Sequence, residues 1–545
     1  MINYLYKTTP RKHQDEAFLF LYRLFNARTN YGALFMEQGT GKTKVAIDIA
    51  SNLYAECRID AVMLIAPNGV QDQWGDEQLP MHSPIPFNTF TWENNKSDRY
   101  RKDLFAFIKS KEKILKWFLM NVEAFSYDTN MATFKEFVSM NRTLIIVDEA
   151  TRIKSPDAHR TINIIQGLST LTTYGKRVTG IEPLSKFRLI LTGTPITTGP
   201  YNVWSMFEFL QHDYFSRDFM SFKGHYGIEV RASIPGSRKA YYRKITAGEM
   251  KQIRQYHEKG KSFEDISRIM QISESSSRFI VDNPSVTTPY KNLDELKTTI
   301  GKIAFTVKKK DCLDLPDKVF EHRYIRMTPE QTRVYKDLKD QMLSQYKDVE
   351  LEVLNKLSLI GRLQQITGGF FPGKNDYEEN VLVPFDVNPK LNELIEDLED
   401  IAAESVIIVA RFTSELKAIY ERVKKTYPEK TVGLVYGGVG KDQRTEILTK
   451  FKAGNLNVLV ANAKTIGVGQ NLQICHTMLM YSNGYSFEDR EQMEDRTHRD
   501  GQGEAPVYID YIVKGTVDEK VLDVLQEKRN LSDYMRDKNI GEFIG

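Results

Sequence analysis

Cysteine is scarce in this chain of 545 residues: Cys57, Cys312 and Cys475 are its only three, far apart and without metal-type spacing. A disulfide framework is thereby excluded, and reduced thiols of an intracellular protein are expected. Charge of one sign is also lacking, since 75 lysines and arginines nearly balance 72 aspartates and glutamates. Overall charge therefore gives no evidence for a polyanion partner, and any such surface must be local. No apolar run is long enough to cross a bilayer, and the N-terminal MINYLYKTTPRKHQ lacks a basic region followed by an apolar core. Internal repeats and low-complexity tracts are absent from the sequence. The length exceeds what one core supports, so several units with a cleft between lobes are expected.

Short β-branched runs alternate with helical stretches twice. GALF, VMLIAP, WFLMNV, TLIIVDEA and FRLILTGTP come first; SVIIVARF, TVGLVYGG, VLVANA and TMLMYS come late. Buried strands between amphipathic helices predict α/β lobes with parallel sheets. The first lobe is expected over 1–210 and the second over 385–515. A bridging linker with charged helices fills 301–384, an insertion interrupts the alternation over 211–300, and an amphipathic brace helix occupies 516–545.

ALFMEQGTGKTKVAIDIA sets a glycine turn between an apolar strand and a helix. Gly39 and Gly41 permit close backbone approach, Lys42 can reach the β and γ phosphates of a nucleotide, and Thr43 can ligate Mg²⁺. Met36 stands where the general pattern has its first glycine. About a hundred residues later TLIIVDEA ends a buried strand in two acids. Asp148 is placed to hold the Mg²⁺ shell and Glu149 to polarise an attacking water, which makes ATP hydrolysis the natural reaction. Near the other end, QMEDRTHRDGQ puts Arg496 and Arg499 one helical turn apart, able to converge on one anion. The alternative is a solvated helix face answered by Glu491, Glu494 and Asp495.

In order along nearly the whole chain, these residues resemble superfamily 2 helicases of the Snf2 (SWI2/SNF2) branch. RKHQDEA resembles the adenine-reading Q motif, with Gln14 its glutamine; EQGTGKT is similar to motif I, and LIAPNGVQDQW to motif Ia. DEATRIKS resembles the DEAH box with its following RIKN, and LTGTPITTGPYNVWSMFEFL motif III with its downstream signature. VANAKTIGVGQNLQ is similar to motif V, and QMEDRTHRDGQ to motif VI. The resemblance implies two RecA-like P-loop lobes and a DNA-dependent ATPase or helicase using ATP and Mg²⁺. It implies nucleotide contacts from Gln14, Gly39, Thr40, Gly41, Lys42, Thr43, Lys44 and Gln492, and metal contacts from Thr43 and Asp148. Arg496 and Arg499 are implied as arginine fingers from the second lobe. Thr192, Gly193, Thr194, Gly467, Gly469 and Asn471 are implied to couple ATP to DNA. The chain departs from the pattern at Thr151, where the family has histidine, at Ile466, which replaces a glycine, and at Ala410 and Arg411, which replace an aromatic run.

Within the insertion, EVRASIPGSRKAYYRKI reads as a β-hairpin around a Pro-Gly turn. A helix ending near Gly260, a capped helix from about Ser262 to Met270, and a third opened by Ser273 or Glu274 make a helix-turn-helix outline. From Arg231 to Lys261, nine basic residues face two acids, 9 − 2 = +7. Arg231, Arg238, Lys239, Arg243, Lys244, Lys251 and Arg254 are accordingly candidate DNA ligands.

The expected function is a DNA translocase that remodels duplex, forked or branched DNA in replication, recombination or repair, similar to compact phage-encoded forms. Nuclease or recombination partners and a bacterial or phage-infected host cytoplasm are expected, or a nucleus in a eukaryote. The competing expectations are a motor subunit of a restriction or defence complex, and a DNA-gated ATPase switch without travel.

Overall fold

The structure, a computed structural model, describes residues 4–94, 97–165, 180–196, 199–233, 240–284, 286, 288–345, 353–374, 380–401, 405–466, 472–499 and 502–527. The chain divides into two compact units, Met1–Glu37 with Gly41–Lys308, and Gln38–Thr40 with Lys309–Gly545.

In the first unit the strands are β1 (Tyr31–Met36), β2 (Ala61–Ala66), β3 (Phe87–Thr91), β4 (Leu115–Asn121), β5 (Thr143–Asp148), β6 (Phe187–Thr192), a separate hairpin of β7 (Glu229–Ser233) and β8 (Ala240–Lys244), and β9 (Ala304–Val307). Seven of them form one parallel sheet, ordered β3-β4-β2-β5-β6-β1-β9. The inner strands are apolar on both faces because helices cover both sides. β2 and β5 are buried at every position. In this order β1, β6 and β5 are neighbours, so the turns that follow them, at 37–41, 193–194 and 149, emerge side by side at the carboxyl edge. That is where ligands sit in open α/β sheets.

β9 lies in the stretch assigned from sequence to the bridge, yet it pairs with β1 from Ala33↔Ala304 to Met36↔Val307. Helix Leu293–Gly301 before it buries Leu296 and Ile300 in the same core. Four residues flanked by a lysine run carry too little pattern to be read as a strand.

The hairpin and helices Ala247–Glu258, Phe263–Met270 and Glu274–Asp282 surround a core of their own: Ile228, Val230, Ile245, Met250, Ile253, Ile266, Ile272 and Ile280. Thr246, Ser262 and Ser273 cap the three helices by accepting a hydrogen bond from the amide three residues on. Gln271, at φ 54°, makes the left-handed turn between the last two.

In the second unit β10 (Val319–Ile325), β13 (Val406–Val409), β14 (Val432–Val435), β15 (Val458–Ala461), β16 (Thr477–Met480) and β17 (Val507–Val513) form a parallel sheet ordered β10-β17-β16-β13-β15-β14. β11 (Phe370–Lys374) and β12 (Asn380–Pro384) make a hairpin. Helix Val517–Gln526 packs Val517, Val521, Val524 and Leu525 against Tyr335, Met342 and Ile360. Asp518 on that helix accepts from Lys390 at 2.8 Å, a buried pair that ties the helix to the start of Pro389–Asp400. Among the described residues, no helix is long and apolar enough to cross a membrane.

Candidate functional site

The loop after β1 has the geometry of a phosphate cradle. Gly39 and Gly41 take φ values of 83° and 91°, where a side chain is strained, and a Cβ on Gly41 would strike the Gln14 carboxamide. Gln14 sits in the first turn of helix Lys12–Asn26, with Oε1 accepting from the Arg11 amide at 3.0 Å. Gly41 caps helix Lys42–Ala55, which directs the helix start and its amides at the loop. Lys42 is buried, and its ammonium donates to the Met36 carbonyl at 2.8 Å. Met36 thus contributes a backbone oxygen, which any residue could supply. Lys44 is placed differently from the rest of its motif. Its ammonium meets Asp48 at 2.6 Å inside the fold, below the Tyr6 ring, and it does not join the phosphate-facing groups.

Asp148 ends β5 and Glu149 turns out of it at φ 49° and ψ 57°, a conformation that costs an acidic side chain about 1 kcal/mol or more. Its amide donates to Asp148 Oδ1 at 2.9 Å. The other oxygen, Oδ2, accepts the indole N–H of Trp74 at 3.0 Å. Burial, and secondly the charge of Glu149, push the Asp148 carboxyl up to about 6, against the opposing pull of Lys42 and Trp74. A hydroxyl from Thr43 and one carboxylate are the hard oxygen donors that suit Mg²⁺ bound mainly by substrate phosphates and water. Among the described residues no group of three or more acidic, histidine or cysteine side chains forms a fuller metal cage.

Trp74, which closes the LIAPNGVQDQW stretch, has no expected role from sequence. A buried indole needs an acceptor, and that requirement is the signal that finds it. It opens a π-helical turn, Trp74–Gln78, a distortion frequent at functional sites. Trp74→Phe keeps the ring and deletes the donor. ATP turnover at limiting Mg²⁺ is expected to fall about tenfold, with recovery at high Mg²⁺, checked by titrating the metal.

Thr192, fully buried at the end of β6, accepts the Thr194 amide on its hydroxyl at 3.2 Å and shapes the Thr192–Thr194 turn. Downstream, the Ser205 hydroxyl donates to the Lys154 carbonyl at 3.2 Å, linking helix Asn202–Leu210 to the segment after the acids. Thr151 lies in the 3-10 turn Ala150–Ile153 between them.

In the second unit, helix Phe487–Thr497 ends before Arg499. The helical spacing expected of Arg496 and Arg499 is therefore corrected: His498 leaves helical geometry at ψ 74°, and Arg499 Nε returns to the Asp495 carbonyl at 2.9 Å as a C-terminal cap. The solvated-face alternative also fails. Arg496 is 3% exposed, and Glu494 and Asp495 answer other cations. Asp495 Oδ1 accepts from Lys309 at 2.6 Å and Lys318 at 3.5 Å, and Glu494 from Lys318 at 3.0 Å and Arg490 at 2.7 Å. Arg490 also makes a two-pronged pair with Asp510 at 2.6 and 2.9 Å. Lys309 and Lys318 lie well over a hundred residues from this helix, so no local pattern announces them. Gln492 is half-buried on the same helix. Gly467, Gly469 and Asn471 lie outside the described residues.

Asp510→Ala strips Arg490 of its strongest partner in a buried place. The second unit is expected to lose about 3 kcal/mol of stability, read from denaturant unfolding.

At the carboxyl ends of β13, β15 and β16 lies a cavity of about 430 Å³, lined in part by Arg411, Asn462 and Tyr485. Arg411, one of the departures from the family pattern, stacks on the Tyr485 ring with its guanidinium carbon 3.4 Å from the centroid.

Of the candidate insertion ligands, Arg231 and Lys251 are exposed. Arg254 is committed elsewhere: it donates to the carbonyls of Ile280, Asn283 and Val286, the last at 2.8 Å, and clamps the end of the third helix. Arg243 and Lys244 are described as strand backbone only, and Arg238 and Lys239 lie outside the described residues.

Residues 13–369 match the SNF2-related domain and residues 389–501 the helicase conserved C-terminal domain. An uncharacterized ATP-dependent helicase of Mycoplasma genitalium is 24% identical over 96% of this chain and 42% of its own length. The DNA excision repair protein ERCC-6-like of Homo sapiens is 23% identical over 94% of this chain and 40% of its own. This chain thus spans less than half the length of either relative. The solved SWI2/SNF2 ATPase core of Sulfolobus solfataricus in complex with dsDNA is 22% identical over 99% of this chain and 96% of its own, with a TM-score of 0.37, too little overlap to transfer geometry.

Proposed function

We propose, on the premise that this chain belongs to the SNF2-related family of helicases, that it is a DNA-dependent ATPase that moves on duplex DNA and remodels forked or branched forms. One observation carries the chemical half of the reading: β1, β6 and β5 adjoin, which brings the Lys42–Thr43 loop, Thr192 and the Asp148–Glu149 pair to one sheet edge. Lys42 and the helix amides take the terminal phosphates of ATP, and Thr43 and Asp148 hold Mg²⁺, which when bound neutralises phosphate charge. Glu149 orients a water and accepts its proton. The Thr192–Thr194 turn, next in the sheet to both, is suited to sense whether the γ phosphate is present. Arg496 and Arg499 supply positive charge to the transferring phosphoryl group.

DNA as the polymer is supported by the relatives named for helicase and excision-repair activity. The test compares ATP turnover with single strands, duplexes, forks and four-way junctions. Stimulation is expected to be largest with duplex-containing DNA, and turnover indifferent to every DNA would defeat the reading. Displacement of the third strand from a triplex in the presence of ATP separates travel from a switch that merely dissociates.

A further inference from the structure

The inserted hairpin-and-helix body holds a cleft of about 540 Å³ at the start of helix Glu274–Asp282, lined among others by Arg231, Arg268, Ser273, Ser275 and Ser276. Its hydrogen-bond accounting is one-sided. Ser276, 3% exposed, accepts on its hydroxyl oxygen from the Lys291 ammonium at 3.1 Å and from the Ser273 hydroxyl at 2.8 Å. The side chain is buried and lines the cleft. Ser273 in turn lies 3.0 Å from the Ser275 hydroxyl.

Behind this chain of donors sits Lys291, 7% exposed and without a carboxylate partner among the described residues. Burial alone pushes its pKa down, the mark of a cation whose charge is not compensated. The two amides that open the nine-residue helix ahead of the capped Ser276 amide lie at the positive end of its dipole. Arg231, exposed, has no carboxylate partner among the described residues. Arg268 pairs with Glu264 at 3.2 Å and with Asp265 at 3.9 Å, but all three are largely exposed, so those pairs are worth little and can be given up. The one acid in the lining, Glu229, pairs through Oε1 with Lys223 at 3.1 Å. Arginines thus outnumber acids two to one in the lining.

We propose that this cleft binds a backbone phosphate of duplex DNA, giving the chain a second hold on its substrate apart from the nucleotide loop. The source of the phosphate rests on the proposed DNA-dependent function; the anion site itself does not. A polymer is favoured over a free nucleotide by the sequence balance of +7 from Arg231 to Lys261, more positive charge than one phosphate needs. Such a contact positions the duplex and carries no sequence information.

The test measures binding of a fluorescent duplex by the full chain over a range of salt concentrations. Arg231→Ala with Arg268→Ala is expected to raise Kd about tenfold and to lower the slope of log Kd against log salt by about 1 to 2, with the unfolding midpoint unchanged. Ser276→Ala should weaken binding, and Ser276→Thr, which keeps the hydroxyl, should restore it. A well-folded double variant with the affinity and slope of the unaltered chain would overturn the proposal. Inorganic phosphate that binds the unaltered chain but not the double variant, while duplex affinity stays equal in both, would overturn the assignment to DNA. Failure of the unaltered chain to bind any duplex would refute the proposed function itself, an outcome distinct from either.

Discussion

Glu149→Gln is expected to lower ATP turnover about 10³-fold while leaving ATP binding within a factor of about two, in line with the 10² to 10⁴ that a positioned general base supplies. Glutamine matches glutamate in size and keeps a hydrogen-bonding oxygen, so the turn at φ 49° and the bond from the residue 149 amide to Asp148 are retained. What disappears is the proton acceptor. The neighbouring Asp148 cannot substitute: it is buried, holds the Trp74 indole on one oxygen and the residue 149 amide on the other, and is the group proposed to hold the metal. Single-turnover hydrolysis beside equilibrium nucleotide binding separates the two effects. Hydrolysis within about tenfold of the unaltered chain would remove Glu149 from the role of base.

How far the sequence discloses this site depends on whether the determinant is local. The cradle is legible because each part is short-range: an apolar strand, glycines where φ turns positive, and a helix that starts at Lys42. The two acids are legible because β5 is buried on both faces and then abruptly charged. Adjacency of the two motifs follows from parallel topology, which alternating strands and helices predict. β9 and β10, the strands that end one sheet and begin the other, both fall in the 301–384 stretch expected to bridge the lobes, where only the β10 sequence is strand-like. Each is an edge strand whose identity comes from its partner, and β10 exposes Val319, Phe320 and Tyr324. Trp74 was visible as a residue but not as a partner of Asp148, since a hydrogen bond across 74 positions leaves no periodic trace. Lys44 shows the reverse error. Its motif suggested a phosphate ligand, while an aspartate one helical turn away claimed its charge. Arg254 likewise counted toward a basic stripe, although three carbonyls at the end of another helix take up its donors.

Arg499→Ala is expected to reduce turnover by about 10³-fold, the lower end of what an arginine finger contributes to phosphoryl transfer, with ATP still bound. The local fold shapes this expectation. Glu494 and Asp495, on the helix that precedes the arginine, are engaged by Lys309, Lys318 and Arg490, so the helix holds its shape through those pairs. Arg499 Nε caps the Asp495 carbonyl, a hydrogen bond whose loss should cost about 1 kcal/mol. A large loss of activity with nearly unchanged unfolding would therefore report chemistry. Asp510→Ala is the opposite case, a large loss of stability from a residue that touches no phosphate. Arg499→Lys should recover little, because an ammonium reproduces the charge but not the planar two-pronged donation. Recovery by lysine to within about threefold would mean that charge alone suffices, and turnover unchanged in the alanine variant would leave Arg499 as a helix cap and nothing more.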